Sequence, residues 1–165
     1  MRGIELKPIG VIRTKLGNED VKASWSGGVE AEIEIFKEYG DALEGVDGFS
    51  YLIVLFYMHQ TTEEQRKTLK VKPRRFVRYG LDLEALPLMG VFSVDSPHRP
   101  NPIGFTIVKV LERRGSILKV DGMDAFDGTP VLDLKPYTRE RCKADIQIPT
   151  WLKQLLVSAN LESPG

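Results

Sequence analysis

The chain has 165 residues, 42% of them hydrophobic and 28% charged, with 23 basic and 23 acidic residues. This composition suits one globular domain with a small appendage, and the zero net charge argues against non-specific coating of nucleic acid. The single cysteine, Cys142, excludes an internal disulfide. The N-terminal residues lack the apolar core of a signal peptide, and no apolar run approaches the ~20 residues of a membrane helix. We therefore predict a cytoplasmic protein.

The N-terminal part of the chain is predicted to supply three strands. Residues 9–13 form a short one. In residues 29–36 apolar side chains alternate with glutamates, which is the period of a half-buried strand. Residues 50–58 are an almost continuous apolar and aromatic run, which predicts a central strand buried on both faces. Between these strands, residues 40–46 fit one helical turn closed by Gly45.

Further elements follow in the second half of the chain. Thr61-Thr62-Glu63-Glu64 fits a capping box that opens a short helix ending near Leu69. Four more strands are predicted at residues 90–94, 103–112, 117–123 and 131–134, with a hairpin-like turn at 113–116. Pro149-Thr150-Trp151 opens a C-terminal helix, and the apolar face of that helix carries Trp151, Leu152, Leu155 and Leu156.

Short strands at regular spacing with only marginal helices predict a mainly β protein, either an antiparallel barrel or a sandwich. The elements do not alternate as strand and helix, and no glycine-rich phosphate-binding motif follows a strand. Both observations argue against a doubly wound nucleotide-binding fold.

The charges are unevenly spread along the chain. Residues 67–78 contain no acidic residue but six cations: Lys67, Lys70, Lys72, Arg74, Arg75 and Arg78. A solvated surface is one interpretation of this run. The other is a local basic patch for phosphate groups.

One segment combines three prolines with several hydrogen-bonding side chains. It reads Asp95-Ser96-Pro97-His98-Arg99-Pro100-Asn101-Pro102-Ile103-Gly104. Its three prolines fix φ and push the preceding residues into extended conformations. Ser96, His98, Arg99 and Asn101 are therefore held in set directions at little entropic cost. A rigid connector between strands is the alternative, but the density of hydrogen-bonding side chains favours a binding loop.

A second group of polar residues lies in residues 120–137. Asp127-Gly128-Thr129-Pro130 has the composition of a turn, and the carboxylates near it are Asp121, Asp124, Asp127 and Asp133. Turn-capping explains some of these acids, and the spacing of an EF-hand calcium loop is absent. A carboxylate is also the natural partner of ribose hydroxyls, an adenine amino group or an ammonium.

A third group is His59-Gln60, which leaves the predicted central strand. It is either a satisfied pair at a strand end or a ligand-binding pair at a barrel mouth. His59 and His98 are the chain's histidines, and neither has the spacing of metal ligands. We predict no metal site.

Taken together, these segments resemble the TsaA-like, or TrmO, family of S-adenosylmethionine-dependent tRNA methyltransferases. The resemblance runs from Pro8 through residues 30–49 and from Gly90 to Tyr137, which is most of the first 138 residues, and it is most specific in residues 96–104 and 127–137. It implies a homodimeric enzyme that methylates N6 of threonylcarbamoyl-adenosine next to the tRNA anticodon. It also implies a mainly β fold, an antiparallel β-barrel with short helices and a short C-terminal helix. We accordingly expect residues 1–138 to form the barrel domain and 139–165 a short C-terminal extension with one helix.

The resemblance also implies which residues bind the S-adenosyl-L-methionine cofactor. The positions that match the family's cofactor contacts are His59, Gln60, Asp95, Phe105, Asp124, Ala125, Phe126 and Asp127, with Ser24-Trp25 as a further match before the second predicted strand. The family commonly has arginine immediately before Ser-Pro, where this chain has Asp95. This departure changes the sign of the charge at one cofactor contact.

Roles for the remaining polar residues follow from the chemistry of methyl transfer. His98, Arg99 and Asn101 are the expected catalytic residues, with Arg99 and Asn101 orienting substrate or cofactor. The base that removes the N6 proton is His98 or one of Asp124 and Asp127. An aromatic ring for the sulfonium comes from Trp25, Phe105 or Phe126, and the basic run contacts tRNA phosphates.

Two alternatives stay open at this point. One is a module that binds adenosylmethionine or a nucleotide without turnover, and the other is a methyltransferase with a different acceptor. Neither alternative involves a membrane or a metal.

Overall fold

The computed structural model describes residues 3–24 and 27–162. Its contacts divide the chain into two compact units. The barrel unit comprises Met1–Gln60 and Pro102–Arg141, and the second unit comprises Thr61–Asn101 and Cys142–Gly165. The sequence-predicted division at residue 138 stays a prediction.

The elements are short, and most are strands. The strands are β1 (Gly10–Arg13), β2 (Val29–Ile35), β3 (Tyr51–Tyr57), β4 (Lys70–Val71), β5 (Met89–Gly90), β6 (Ile103–Arg114), β7 (Ile117–Met123) and β8 (Pro130–Pro136). The α-helices are α1 (Asn18–Ala23), α2 (Glu63–Arg66) and α3 (Thr150–Ser158). Short 3₁₀ helices lie at Lys37–Leu43, Arg74–Tyr79, Val91–Ser93 and Arg139–Arg141.

Six strands close into an antiparallel barrel in the order β1-β2-β7-β6-β3-β8. The pairing of β1 with β8 closes it, with Gly10 opposite Val131. This barrel, with its short helices and C-terminal helix, confirms the fold predicted from the sequence. Because neighbours in a closed antiparallel barrel alternate in direction, β1, β3 and β7 all end at the same rim, where β2, β6 and β8 begin. We call this end the ligand rim.

Alternation of side chains builds the barrel interior. In β2 each apolar residue is buried and each glutamate is exposed, as the period of two requires. The residues that are at most 1% exposed and fill the barrel are Ile12, Ile33, Leu52, Val54, Val108, Leu118, Val120, Met123 and Val131. Burial of each such side chain stabilises the fold by about 1.5–3 kcal/mol. The predicted burial of β3 on both faces holds for consecutive residues Leu52, Ile53 and Val54.

The second unit has a small core of its own. Phe76 is fully buried there with Leu86 and Ala159. The apolar face predicted for α3 packs against this core through Leu152, Leu155 and Leu156. Strands β4 and β5 form a separate two-stranded sheet, in which Lys70 pairs with Gly90. The C-terminal helix therefore stabilises the same unit as the basic run.

The prediction of a strand at residues 90–94 is wrong beyond Gly90, where β5 ends. Val91–Ser93 form a 3₁₀ turn instead. Side chains take the backbone carbonyls that a partner strand would need: Ser93 Oγ donates to the Gly90 carbonyl at 2.8 Å, and Arg99 Nη2 donates to those of Val91 and Val94. The pattern of residues 90–94 cannot show the bonds from Arg99, because that donor lies further along the chain.

Other boundaries differ by small amounts. The predicted capping box is shifted by one residue, since Thr62 is the N-cap and Gln65 its reciprocal partner. The predicted turn at residues 40–46 lies at Lys37–Leu43. Helix α1 and the turn Arg74–Tyr79 were not predicted. None of the helices in the described residues has the length and apolar character that crossing a bilayer requires.

We expect Gly28→Ala to destabilise the barrel. Gly28 has φ of +70°, and a Cβ there would lie 2.3 Å from the carbonyl carbon of Gly122 in β7. The combination of strain and overlap with backbone predicts a loss of roughly 2–4 kcal/mol in the free energy of unfolding, measured by urea denaturation. Gly27→Ala is the matched control, because nothing lies within 4 Å of a Cβ at that position. Equal unfolding midpoints for the two variants would contradict the close approach.

Candidate functional site

The segment that follows β1 crosses the ligand rim and contacts the loop after β7. The backbone amide of Thr14 donates to Asp127 Oδ1 at 3.0 Å. Lys22 Nζ, in α1, lies 5.8 Å from the centroid of the Phe126 ring. Two of the predicted cofactor residues, Phe126 and Asp127, are therefore fixed against residues 14–22.

The same segment also contacts the end of β3. Asn18 Nδ2 donates to Gln60 Oε1 at 3.0 Å. Gln60 and the Phe126-Asp127 pair come from separate parts of the sequence, and residues 14–22 join them. His59 is exposed beside Gln60, where the Met58 amide donates to the Pro102 carbonyl at 2.8 Å.

The loop after β7 is held firmly by backbone hydrogen bonds. The Gly128 amide donates to the Ile12 carbonyl at 2.8 Å, and the Ile12 amide donates to the Thr129 carbonyl at 2.9 Å. The predicted turn at residues 127–130 is present, with Gly128 at φ of +76°. Ala125 is only 4% exposed, so any contact of Ala125 with a ligand comes from its backbone. Asp124 is half-buried and Asp127 exposed.

Phe105 lies near the start of β6, which also begins at the ligand rim. Its neighbour Gly104 packs inward so tightly that a Cβ would lie 2.1 Å from the Phe56 ring. Because side chains alternate along a strand, Phe105 faces outward, and it is 58% exposed. It belongs to the outer surface of the barrel, whereas Asp124 and Phe126 belong to the loop after β7.

Residues 95–101 of the proline-rich segment lie in the second unit, and several of their polar groups are hydrogen-bonded. Ser96 Oγ accepts from the His98 amide at 3.2 Å. Arg66 Nε donates to the Pro100 carbonyl at 3.1 Å. The Arg99 guanidinium binds the carbonyls of Val91 and Val94 through Nη2, while its Nε is buried without a hydrogen-bond partner among the described residues. This rigid loop leaves Asn101 and Asp95 exposed.

A cavity of about 250 Å³ lies beside this loop, lined by Phe92, Ser93, Val94, Asp95 and Arg99. It joins two predicted site residues, Asp95 and Arg99, to the exposed Phe92 ring. His98 and Asn101 do not line it.

A larger depression of about 580 Å³ lies along β2 and the β6–β7 turn, and it contains none of the predicted site residues. Its cation Arg114 is bound by both carboxylate oxygens of Glu112, at 2.7 and 2.8 Å. The hydrogen bond from Arg114 lowers the pKa of Glu112. Because Glu112 already neutralises the charge of Arg114, we do not expect this depression to bind an anionic ligand.

Two site residues were missed by the sequence reasoning, Asn18 and Lys22. Both lie on α1, which has Glu19 and Asp20 in its first turn and Lys22 in its last. This order of charges suits the helix dipole. It is the signal in the sequence from which the helix could have been predicted. Of the predicted pair Ser24-Trp25, Ser24 follows α1, and Trp25 lies outside the described residues. Within those residues, no group of three His, Cys, Asp or Glu side chains could hold a metal ion.

The family model for the tRNA-methyltransferase O N-terminal domain matches residues 21–142, which is most of the chain. The chain belongs to this family. The match includes most of the barrel and the whole proline-rich segment, so it confirms the resemblance drawn from the sequence. All of the predicted site residues lie inside the matched region.

Three similar proteins illustrate the tRNA-methyltransferase O family. A protein of Archaeoglobus fulgidus, called a probable S-adenosyl-L-methionine-binding protein, is 43% identical over 82% of this chain. The tRNA (adenine(37)-N6)-methyltransferase of Escherichia coli is 35% identical over 83% of it. A solved structure described as TrmO superposes with a TM-score of 0.67 at 29% identity over 89% of the chain. The chain spans 34%, 59% and 64% of the lengths of these three proteins.

Proposed function

We propose that this chain transfers a methyl group from S-adenosyl-L-methionine to N6 of threonylcarbamoyl-adenosine next to the anticodon of tRNA. The observation that carries the proposal is the meeting of Gln60, Phe126 and Asp127 around residues 14–22 at one rim of the barrel. The name of the Escherichia coli relative, a tRNA (adenine(37)-N6)-methyltransferase, supports the acceptor. The name of the Archaeoglobus fulgidus relative supports the cofactor.

The groups at the ligand rim fit the chemistry of adenosylmethionine. The face of the Phe126 ring already attracts the Lys22 ammonium, so it suits the positive sulfonium as well. Asp124 and Asp127 provide carboxylate oxygens that can accept hydrogen bonds from the ribose hydroxyls. Gln60 provides an amide group for the polar edge of the adenine base. We propose these residues, with His59 and the backbone of Ala125, as the cofactor contacts of the barrel unit. We propose Phe105, on the outer face of β6, as a further cofactor contact at the edge of the dimer interface described below.

Asp95 cannot anchor the carboxylate of the cofactor, because both groups are anionic. The barrel unit offers Lys22 instead, whose ammonium lies beside Phe126 and is also bound by Glu19 at 2.7 Å. That carboxylate and the sulfonium belong to the same short aliphatic chain. We propose that Lys22 exchanges Glu19, a single partner that is 86% exposed, for this carboxylate while Phe126 contacts the sulfonium, since an exposed pair of this kind is worth only about 0–1 kcal/mol.

When bound, S-adenosyl-L-methionine supplies an electrophilic methyl carbon. The protein aligns N6 with that carbon and excludes water, and alignment of this kind supplies much of the catalysis. As the methyl group passes from sulfur to N6, the carbon–sulfur bond breaks and S-adenosylhomocysteine is left, so N6 would give up one proton, which His98, Asp124 or Asp127 would accept. Asn101 is exposed and free to orient the substrate. Arg99 can do so only with donors other than Nη2, which binds carbonyls.

We propose further that the protein works as a homodimer in the cytoplasm. The outer face of β6 carries a row of apolar side chains, Ile103, Phe105 and Ile107, which are 37%, 58% and 37% exposed. Contiguous exposed apolar surface of this kind is typical of an interface.

Purified protein is expected to bind S-adenosyl-L-methionine in a calorimetric titration. It is then expected to methylate tRNA that carries threonylcarbamoyl-adenosine, detected by mass spectrometry as replacement of one hydrogen by CH₃ on that nucleoside. The same tRNA without the threonylcarbamoyl group is the matched control for the acceptor. Binding without methylation would favour a binding module or another acceptor. Absence of binding would contradict the proposed function.

Phe126→Ala is expected to weaken S-adenosyl-L-methionine binding by roughly two- to thirtyfold, because it removes a cation–π contact of about 0.5–2 kcal/mol. Binding of S-adenosylhomocysteine, which lacks the positive charge, is expected to weaken less. Phe126→Tyr retains the ring and serves as the rescue variant, and Phe105→Ala shows whether the other ring contributes. Equal losses for both ligands would rule out a charge-dependent role of Phe126.

Ile107→Glu is expected to shift the protein from dimer to monomer in sedimentation equilibrium, since it places a charge within the apolar row. Leu16→Glu, at an apolar residue that is 41% exposed elsewhere in the barrel unit, is the control. A wild-type protein that sediments as a monomer at all concentrations would overturn the dimer.

A further inference from the structure

The second unit holds one aromatic ring in an unusual position. Phe92 is 86% exposed, although the turn that carries it is firmly fixed. Ser93 Oγ bonds the Gly90 carbonyl at 2.8 Å, and Arg99 Nη2 bonds the carbonyls on both sides of the turn, at Val91 and Val94. Because the backbone is already ordered, a partner that covers the ring does not have to order it.

One cation lies beside the same turn, and two more follow it a few residues later in the chain. Lys70 is exposed and pairs with Gly90 across the small sheet, and the Val91 amide donates to the Leu69 carbonyl at 3.0 Å. Arg74 and Arg75 are exposed shortly after β4. The ion pairs found among the described residues include none of Lys70, Arg74 and Arg75.

The other cations of the basic run are engaged. Lys67 pairs with Glu64 at 2.7 Å. Lys72 Nζ lies 3.2 Å from Glu84 and also donates to the Leu83 carbonyl at 3.1 Å. The structure thus separates the basic run into cations bound to acidic or carbonyl groups and a second set, Lys70, Arg74 and Arg75, whose charges remain for an anionic partner. Arg75 also lies over the ring of Phe76, at 4.8 Å from its centroid, a contact that leaves its charge unneutralised.

We propose that Phe92 stacks on an unpaired base of a single-stranded RNA loop, while Lys70, Arg74 and Arg75 bind the flanking phosphates. Proteins usually bind single-stranded nucleic acid with aromatic rings and cations close together. The rings stack on the flat faces of the bases, and the cations bind the phosphates. The cavity beside the ring is lined by Asp95 and Arg99, which gives a polar boundary to the stacked base. This inference rests on the proposed function and extends it to the grip on the anticodon loop.

The test uses fluorescence anisotropy of the full chain with a labelled RNA hairpin, and with the same strand annealed as a complete duplex. Phe92→Ala is expected to weaken hairpin binding roughly tenfold and to leave duplex binding unchanged. Phe92→Tyr should retain hairpin affinity. Leu88→Ala, at another exposed apolar residue of the second unit, is the matched control. The double variant Arg74→Ala/Arg75→Ala should weaken both RNAs, more strongly at low salt.

Unchanged hairpin binding by Phe92→Ala would overturn the proposal, and so would an equal loss on the duplex or a wild-type chain that does not bind the hairpin. A change in sedimentation of Phe92→Ala without RNA would also overturn it, by showing that the ring covers protein. Methylation of tRNA is measured separately on the wild-type chain. If Phe92→Ala weakens hairpin binding but the wild-type chain does not methylate tRNA, the stacking inference stands and the proposed activity fails. If the wild-type chain methylates tRNA but Phe92→Ala binds the hairpin normally, the proposed activity stands and the stacking inference fails.

Discussion

Pairing between β1 and β8 determines most of what the barrel can do. Hydrogen bonds from Ile9 to Val131 and from Ile12 to Thr129 close the sheet, at 2.8 and 2.9 Å. Closure removes the unpaired edges that an open sheet would expose. It also requires the end of β1 to lie beside the start of β8, so residues 14–22 meet the loop that joins β7 to β8. The ligand rim is therefore a consequence of closure, and its polar residues need no further element to bring them together.

The two units use different physical means to hold their functional residues. In the barrel unit, strand direction places the ends of β1, β3 and β7 at one rim, and hydrogen bonds between loops adjust the details. In the second unit, which has a core of few residues around Phe76, prolines and side-chain bonds to carbonyls provide the stiffness. A small core contributes less burial than a barrel, so a locally braced loop is a suitable way to hold Ser96, Arg99 and Asn101.

The barrel strands could be predicted because each carries its own signal, either alternation, as in β2, or a continuous apolar run, as in β3. The strand predicted at 90–94 failed because its carbonyls are bound by Arg99, which no window over the strand contains. Helix α1 was missed because it is short, buries only Val21 and has no side-chain cap at Gly17. Contacts such as Asn18 with Gln60 link residues 42 positions apart, and a single sequence carries no local trace of them.

Arg99 connects two segments whose roles would otherwise be separate. Its side chain extends from the proline-rich loop, and its guanidinium donates hydrogen bonds to the carbonyls of Val91 and Val94 in the turn that carries Phe92. Loss of that side chain would leave two carbonyls unbonded and loosen the turn, so a drop in activity in such a variant would not by itself identify a group that touches the substrate. Substitutions in the two segments should combine non-additively, and we expect related sequences to change residue 99 and the turn at 91–94 in concert.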